Sequence, residues 1–74
     1  MLLKDVPTGQ KCIIENIQLP FQMERRLEAL GMTKHTPLSI LNRKGKGIMI
    51  IRVRGSRFAV GYDITKQIEV EEIQ

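Results

Sequence analysis

The chain is poor in the residues that build chemistry. It has one cysteine, one histidine, no tryptophan, two phenylalanines and one tyrosine in 74 residues. A lone Cys12 forms no internal disulfide, which fits a reducing compartment. Around a single His35 there is no C-x-x-C, no H-x-x-x-H and no Asp/Asn-rich loop of calcium spacing, so the expectation is no built-in metal site. One histidine in so small a chain gives no Ser/His/Asp ordering, and no catalytic residue or cofactor is expected. Phe21, Phe58 and Tyr62 are too few for a platform on which nucleic acid bases stack. No apolar run approaches the length that spans a bilayer, and the opening MLLKDVPTGQ has no apolar signal-peptide core. A soluble, cytoplasmic protein is the default reading. A chain of this length buries only about 60% of its unfolded surface, so the expectation is one small domain, residues 1–74, with a thin core.

Acid is the other thing missing, and only in one place. Residues 43–57 hold six Lys/Arg and no Asp/Glu, whereas residues 1–42 hold five against four and residues 58–74 one against four. The net charge of +4 is therefore concentrated in the middle of the chain. Such a block either keeps a surface solvated or meets an acidic protein surface or a phosphate backbone.

That basic block lies on a hairpin, RKGKGIMIIRVRGSRFAV (residues 43–60). Strands over residues 49–54 and 57–60 flank Gly55-Ser56, and a Gly at the first central position suits a type II′ turn. This register pairs Arg54 with Arg57, Val53 with Phe58, Arg52 with Ala59 and Ile51 with Val60. Apolar side chains then fall on one face and arginines on the other. Ile48 and Ile50 fall on the outward face with Arg52. The expectation is that the helix or the C-terminal turn packs over them; left exposed, they would form the apolar centre of a contact with a cationic rim.

Other elements follow from pattern. Pro7-Thr8-Gly9 is a turn, and Lys11–Ile17 a strand that puts Cys12 and Ile14 on one face. Met23, Leu27 and Leu30 recur at helical spacing, with Gly31 as the C-terminal cap. Residues 38–43 form a strand, and KGKG (residues 44–47) a flexible basic loop. Asp63 caps a single helical turn over residues 64–67, and Ile68–Ile73 alternates as a closing strand. The whole is mainly β: about five short strands closing into a small barrel, with one short inserted helix and a C-terminal helical turn. The expected core is Ile14, Leu27, Leu30, Leu38, Ile40, Ile51, Val53, Phe58, Val60, Ile68 and Val70.

Four segments in order resemble one family: VPTGQKCIIENI (residues 6–17), ERRLEALGMTKHTPLSIL (24–41), IIRVRGSRFAVG (50–61) and IEVEEI (68–73). They resemble the FeoA proteins of bacterial ferrous iron uptake. The resemblance implies an SH3-like barrel and a non-enzymatic role beside FeoB, the membrane ferrous iron transporter with a cytoplasmic GTPase domain. A similar module closes some metal-dependent repressors. Two departures, the basic RKGKGIM loop and Ser56 where an aromatic often follows the hairpin glycine, are what a divergent paralogue would show. The expected partner is thus the cytoplasmic part of a FeoB-type transporter, with Arg43, Lys46, Ile48, Ile50, Arg52, Arg54 and Arg57 as candidate contact residues. The alternatives are a nucleic-acid-binding barrel of OB-like or Sm-like type, or a stand-alone relative of the repressor module.

Overall fold

Alternation of β-branched and polar residues produces five strands, and a computed structural model describes residues 1–73. The elements are β1 (Lys11–Ile17), α1 (Phe21–Ala29), β2 (Pro37–Lys44), β3 (Ile48–Val53), β4 (Ser56–Val60), α2 (Tyr62–Thr65) and β5 (Ile68–Ile73), preceded by a 3-10 turn at Leu3–Asp5. All pairings are antiparallel, in the order β4-β3-β2-β1-β5. The sheet curls around its inner side chains. Leu3, Val6, Cys12, Ile14, Leu27, Met32, Leu38, Ile40, Met49, Ile51, Val53, Val60, Ile68 and Val70 form the core.

Three expectations need correction. First, the hairpin turns one residue early. Val53 pairs with Ser56, Arg52 with Arg57, Ile51 with Phe58, and Met49 with Val60. The loop is therefore Arg54-Gly55, with both residues at positive φ (51° and 83°), which is a type I′ turn. Holding a non-glycine such as Arg54 in that region costs roughly 1–2 kcal/mol. The cost is offset where the Arg54 stem lies over Gly31 and its Nε donates to the Gly31 carbonyl at 3.3 Å. The slip moves the pairing by two residues, an even number, so each side chain keeps its predicted face.

Second, Leu30 is not in the core. Helix α1 ends at Ala29, and Leu30 is the C-cap, 41% exposed. Gly31 (φ +90°) reverses the chain: its N–H donates to Glu28 O at 2.9 Å, and the Met32 N–H donates to Leu27 O at 2.9 Å. This double bond pattern carries Met32, not Leu30, back over Leu27 and into the core. Phe58 packs against the core from its edge and is only half-buried.

Third, α2 begins at Tyr62 with Gly61 as its N-cap. Asp63 lies inside the first turn, 3.8 Å from Lys66 Nζ, and caps nothing. The loop between β2 and β3 is also less free than its glycines suggest. Gly47 lies against Tyr62, where an added Cβ would come within 2.8 Å of the Tyr62 Cβ.

The N-terminal segment carries no strand or helix signal in the sequence. It nevertheless docks along β5: Leu2 bridges Glu69, and the Val70 N–H donates to Met1 O at 2.7 Å. Leu3 and Val6 are fully buried as a result.

Candidate functional site

The hairpin register assembles the outer face of the sheet row by row. Lys11 pairs with Ser39, Ser39 with Arg52, and Arg52 with Arg57, so one row crosses β1, β2, β3 and β4. Lys11, Arg52 and Arg57 are all exposed. A two-residue turn makes Val53/Ser56 a hydrogen-bonded pair, which leaves Arg52/Arg57 as a non-hydrogen-bonded pair with its side chains close together. Like charges directly opposite oppose each other, and here solvent screens them.

Beside this row lies an apolar strip. Ile50 is half-buried and Ile48 is 36% exposed, so the strip is packed over only in part. Leu41, Asn42, Lys44, Ile50, Arg57, Phe58 and Ala59 line an open groove of about 550 Å³. The outer face thus has an apolar floor with cations along its margin.

Of the seven candidate residues, the structure brings four together: Ile48, Ile50, Arg52 and Arg57. Lys46 sits at the tip of the β2–β3 loop, exposed and at positive φ (66°). Arg54 is turned toward the end of α1 by its bond to Gly31. Arg43 is on the other side of the sheet. A β-bulge at Leu41 shifts the register between Ile40 and Asn42, so Arg43 pairs with the buried Met49. One extra residue inverts the pleat beyond it. The Arg43 guanidinium donates to Lys4 O at 3.0 Å and to Val6 O, and so clasps the N-terminal segment. Lys11, Lys44 and Ala59 belong to the outer face but were not among the seven. Lys11 was legible, since Cys12 and Ile14 facing inward puts Lys11 outward.

The remaining reactive groups are dispersed. Cys12 is fully buried, and burial pushes its thiol up to about 11, with the Glu72 carboxylate adding to the shift. It is a core side chain and stays protonated at neutral pH. His35 occupies a turn at φ +71°, its N–H donating to Ile14 O at 2.6 Å. Glu24 and Glu28 flank a hollow of about 290 Å³ with Asn16, Ile17, Thr33 and Lys34. Among the described residues, no three His, Cys, Asp or Glu side chains come together as a metal site would require. Among the same residues, no helix is long and apolar enough to cross a membrane.

Comparison with known proteins places this geometry. The model of the FeoA domain matches residues 1–72. Curated proteins give no match. Among solved structures, an iron uptake regulatory protein, FeoA, is 27% identical with a TM-score of 0.89, over 99% of this chain and 97% of the other. The Stenotrophomonas maltophilia FeoA solved with zinc is 25% identical with a TM-score of 0.80, over 96% and 89% of the two chains. That protein is described as a prokaryotic SH3 domain protein and a candidate activating factor of ferrous iron transport. A manganese-dependent transcriptional repressor shares the fold at 19% identity and a TM-score of 0.89, this chain spanning 41% of its length. The fold is SH3-like, and the chain belongs to the FeoA domain family, which is linked to ferrous iron transport.

Proposed function

We propose that this chain is a non-catalytic accessory module of ferrous iron uptake that docks on the cytoplasmic part of a FeoB-type transporter through the outer face of β2, β3 and β4. The observation that carries the reading is the pairing of Arg52 with Arg57 beside the partly exposed Ile48 and Ile50. An acidic surface set against that row relieves a like-charge pair, and the apolar strip supplies the desolvated centre. Family membership supports the link to iron transport. A nucleic acid partner has less in its favour. The two exposed rings, Phe21 and Tyr62, each have a cation four residues on in the chain over them, Arg25 at 5.6 Å and Lys66 at 5.5 Å.

The test is association of the purified chain with the transporter's cytoplasmic domain, measured with and without nucleotide across a salt series. Replacing Arg52 and Arg57 by Ser should slow association and flatten its salt dependence, whereas Ile50→Ser should speed dissociation. Equal binding by the double variant and the wild type at low salt overturns the reading. Salt-sensitive binding to a generic oligonucleotide with none to the transporter domain replaces it with the nucleic acid alternative.

A further inference from the structure

The two edges of the sheet differ. The outer edge of β5 is covered by Met1 and Leu2. The outer edge of β4 is not: among the described residues, no backbone hydrogen bond from outside the sheet reaches residues 56–60. The turn decides which groups are bare. Because Val53/Ser56 closes a two-residue loop, Ser56, Phe58 and Val60 spend their N–H and C=O groups on β3. Arg57 and Ala59 point theirs away from the sheet. Native sheets rarely leave such groups open unless charge or shape guards them. Arg57 is one guard, but Ala59 beside it is small and exposed and leaves the edge accessible.

We propose that β4 accepts an extended segment of its partner as a sixth, antiparallel strand, whose sequence reads apolar-x-acidic. This rests on the docking reading above and specifies its mode. Each half of the pattern has its own reason. The incoming residue opposite Arg57 stands on the outer face at the end of the Lys11–Ser39–Arg52–Arg57 row, where a carboxylate meets two facing arginines. The incoming residue opposite Ala59 stands beside the groove floored by Ile50 and Leu41, where the small Ala59 side chain leaves room for a branched apolar one. In an antiparallel strand the residue opposite Ala59 precedes the residue opposite Arg57 by two positions, which fixes the order. Arg57 and Ala59 each exchange both backbone groups with their partner, giving about four new hydrogen bonds. Charge complementarity selects the occupant, since six cations and no acid lie in residues 43–57.

The test uses the full chain, labelled for NMR, and two probes. One is a capped seven-residue peptide of Ser and Thr with Ile and Glu two apart; the other is the transporter's cytoplasmic domain. With the peptide, the Arg57 and Ala59 amides should become protected from hydrogen exchange while those of Ser56 and Phe58 change little. Ala59→Pro removes only an outward N–H and should weaken the peptide by about tenfold or more. Exchanging the peptide Glu for Lys should do the same. Absence of binding overturns the proposal, as do shifts spread evenly over the basic side chains with no amide protection; the latter holds in the wild-type chain whether or not the proline variant folds. Transporter binding that ignores a folded Ala59→Pro chain leaves the docking reading standing and overturns strand addition. Peptide binding with these signatures and no transporter binding leaves the edge site standing and removes its assignment to that partner.

Discussion

One end of the sheet is finished by the chain itself and the other is left open. At β5, Met1 and Leu2 supply the missing edge partners, Leu3 and Val6 plug the core, and the guanidinium of Arg43 holds the segment down by two carbonyls. Glu69, Glu71 and Glu72 give that strand a negative charge. At β4, among the described residues, no segment covers the edge, and the charge is positive. The same side chain does opposite work at the two ends. Arg43 is structural because its hydrogen bonds are made within the chain, and Arg57 is available because its are not. Composition alone cannot separate the two roles; the partner of each guanidinium can.

The comparison predicts that substitutions at the closed end cost stability and those at the open end do not. Leu3→Ala should destabilise by about 2–5 kcal/mol in urea unfolding, since Leu3 is fully buried and nothing else fills its place. A change within error would mean that the N-terminal segment is not docked in solution. Also near β5, the raised Cys12 pKa has a pH signature. Below the ordinary thiol value of 9.0 its burial as the neutral thiol contributes fully. Between there and about 11 the unfolded chain loses the proton and the folded chain keeps it, so stability falls as pH rises. The loss is at most roughly 2–3 kcal/mol, and Cys12→Ala should flatten that alkaline limb even though it lowers the plateau.

Arg43→Ala should cost about 1.5–3 kcal/mol, because it strips hydrogen bonds from the Lys4 and Val6 carbonyls. Its size is best read against Arg57→Ser at the open end. That change should leave stability within about 0.5 kcal/mol of the wild type, or raise it slightly by removing a like-charge pair. If Arg57→Ser destabilised as much as Arg43→Ala, the two ends would not differ in kind.

Much of this was legible in the sequence, and the misses share a cause. The spans of β1 and β5, the position of the helix, the cap at Gly31 and the faces of β3 were all readable, because alternation and turn residues act locally. The turn at Arg54-Gly55 was not, since glycine suits either central position and the choice rests on Arg54 reaching Gly31. Met32 replaced Leu30 in the core because the cap reverses the chain, which overrides helical spacing. Arg43 changed sides because of a bulge at Leu41 that leaves no sequence mark. The N-terminal segment was missed because its partners, Glu69 and Val70, lie at the far end of the chain. Of the outer face, the strip Ile48–Ile50 with Arg52 followed from parity; how far it stays exposed depends on packing between distant elements, which parity does not report.

The contact between Gly31 and Arg54 reaches beyond stability. A Cβ on Gly31 would stand 2.8 Å from Arg54 Cδ, so the absence of a side chain at one position is what admits a long one at the other. The two positions are not free to drift separately. Gly31→Ala should be tolerated poorly because of its own φ of +90°, and Arg54→Gly should recover only the part of the cost that comes from the clash. Descendants of this sequence should therefore inherit the two residues as a linked pair, and transplanting the β3–β4 turn into a relative should succeed only when the end of the helix travels with it.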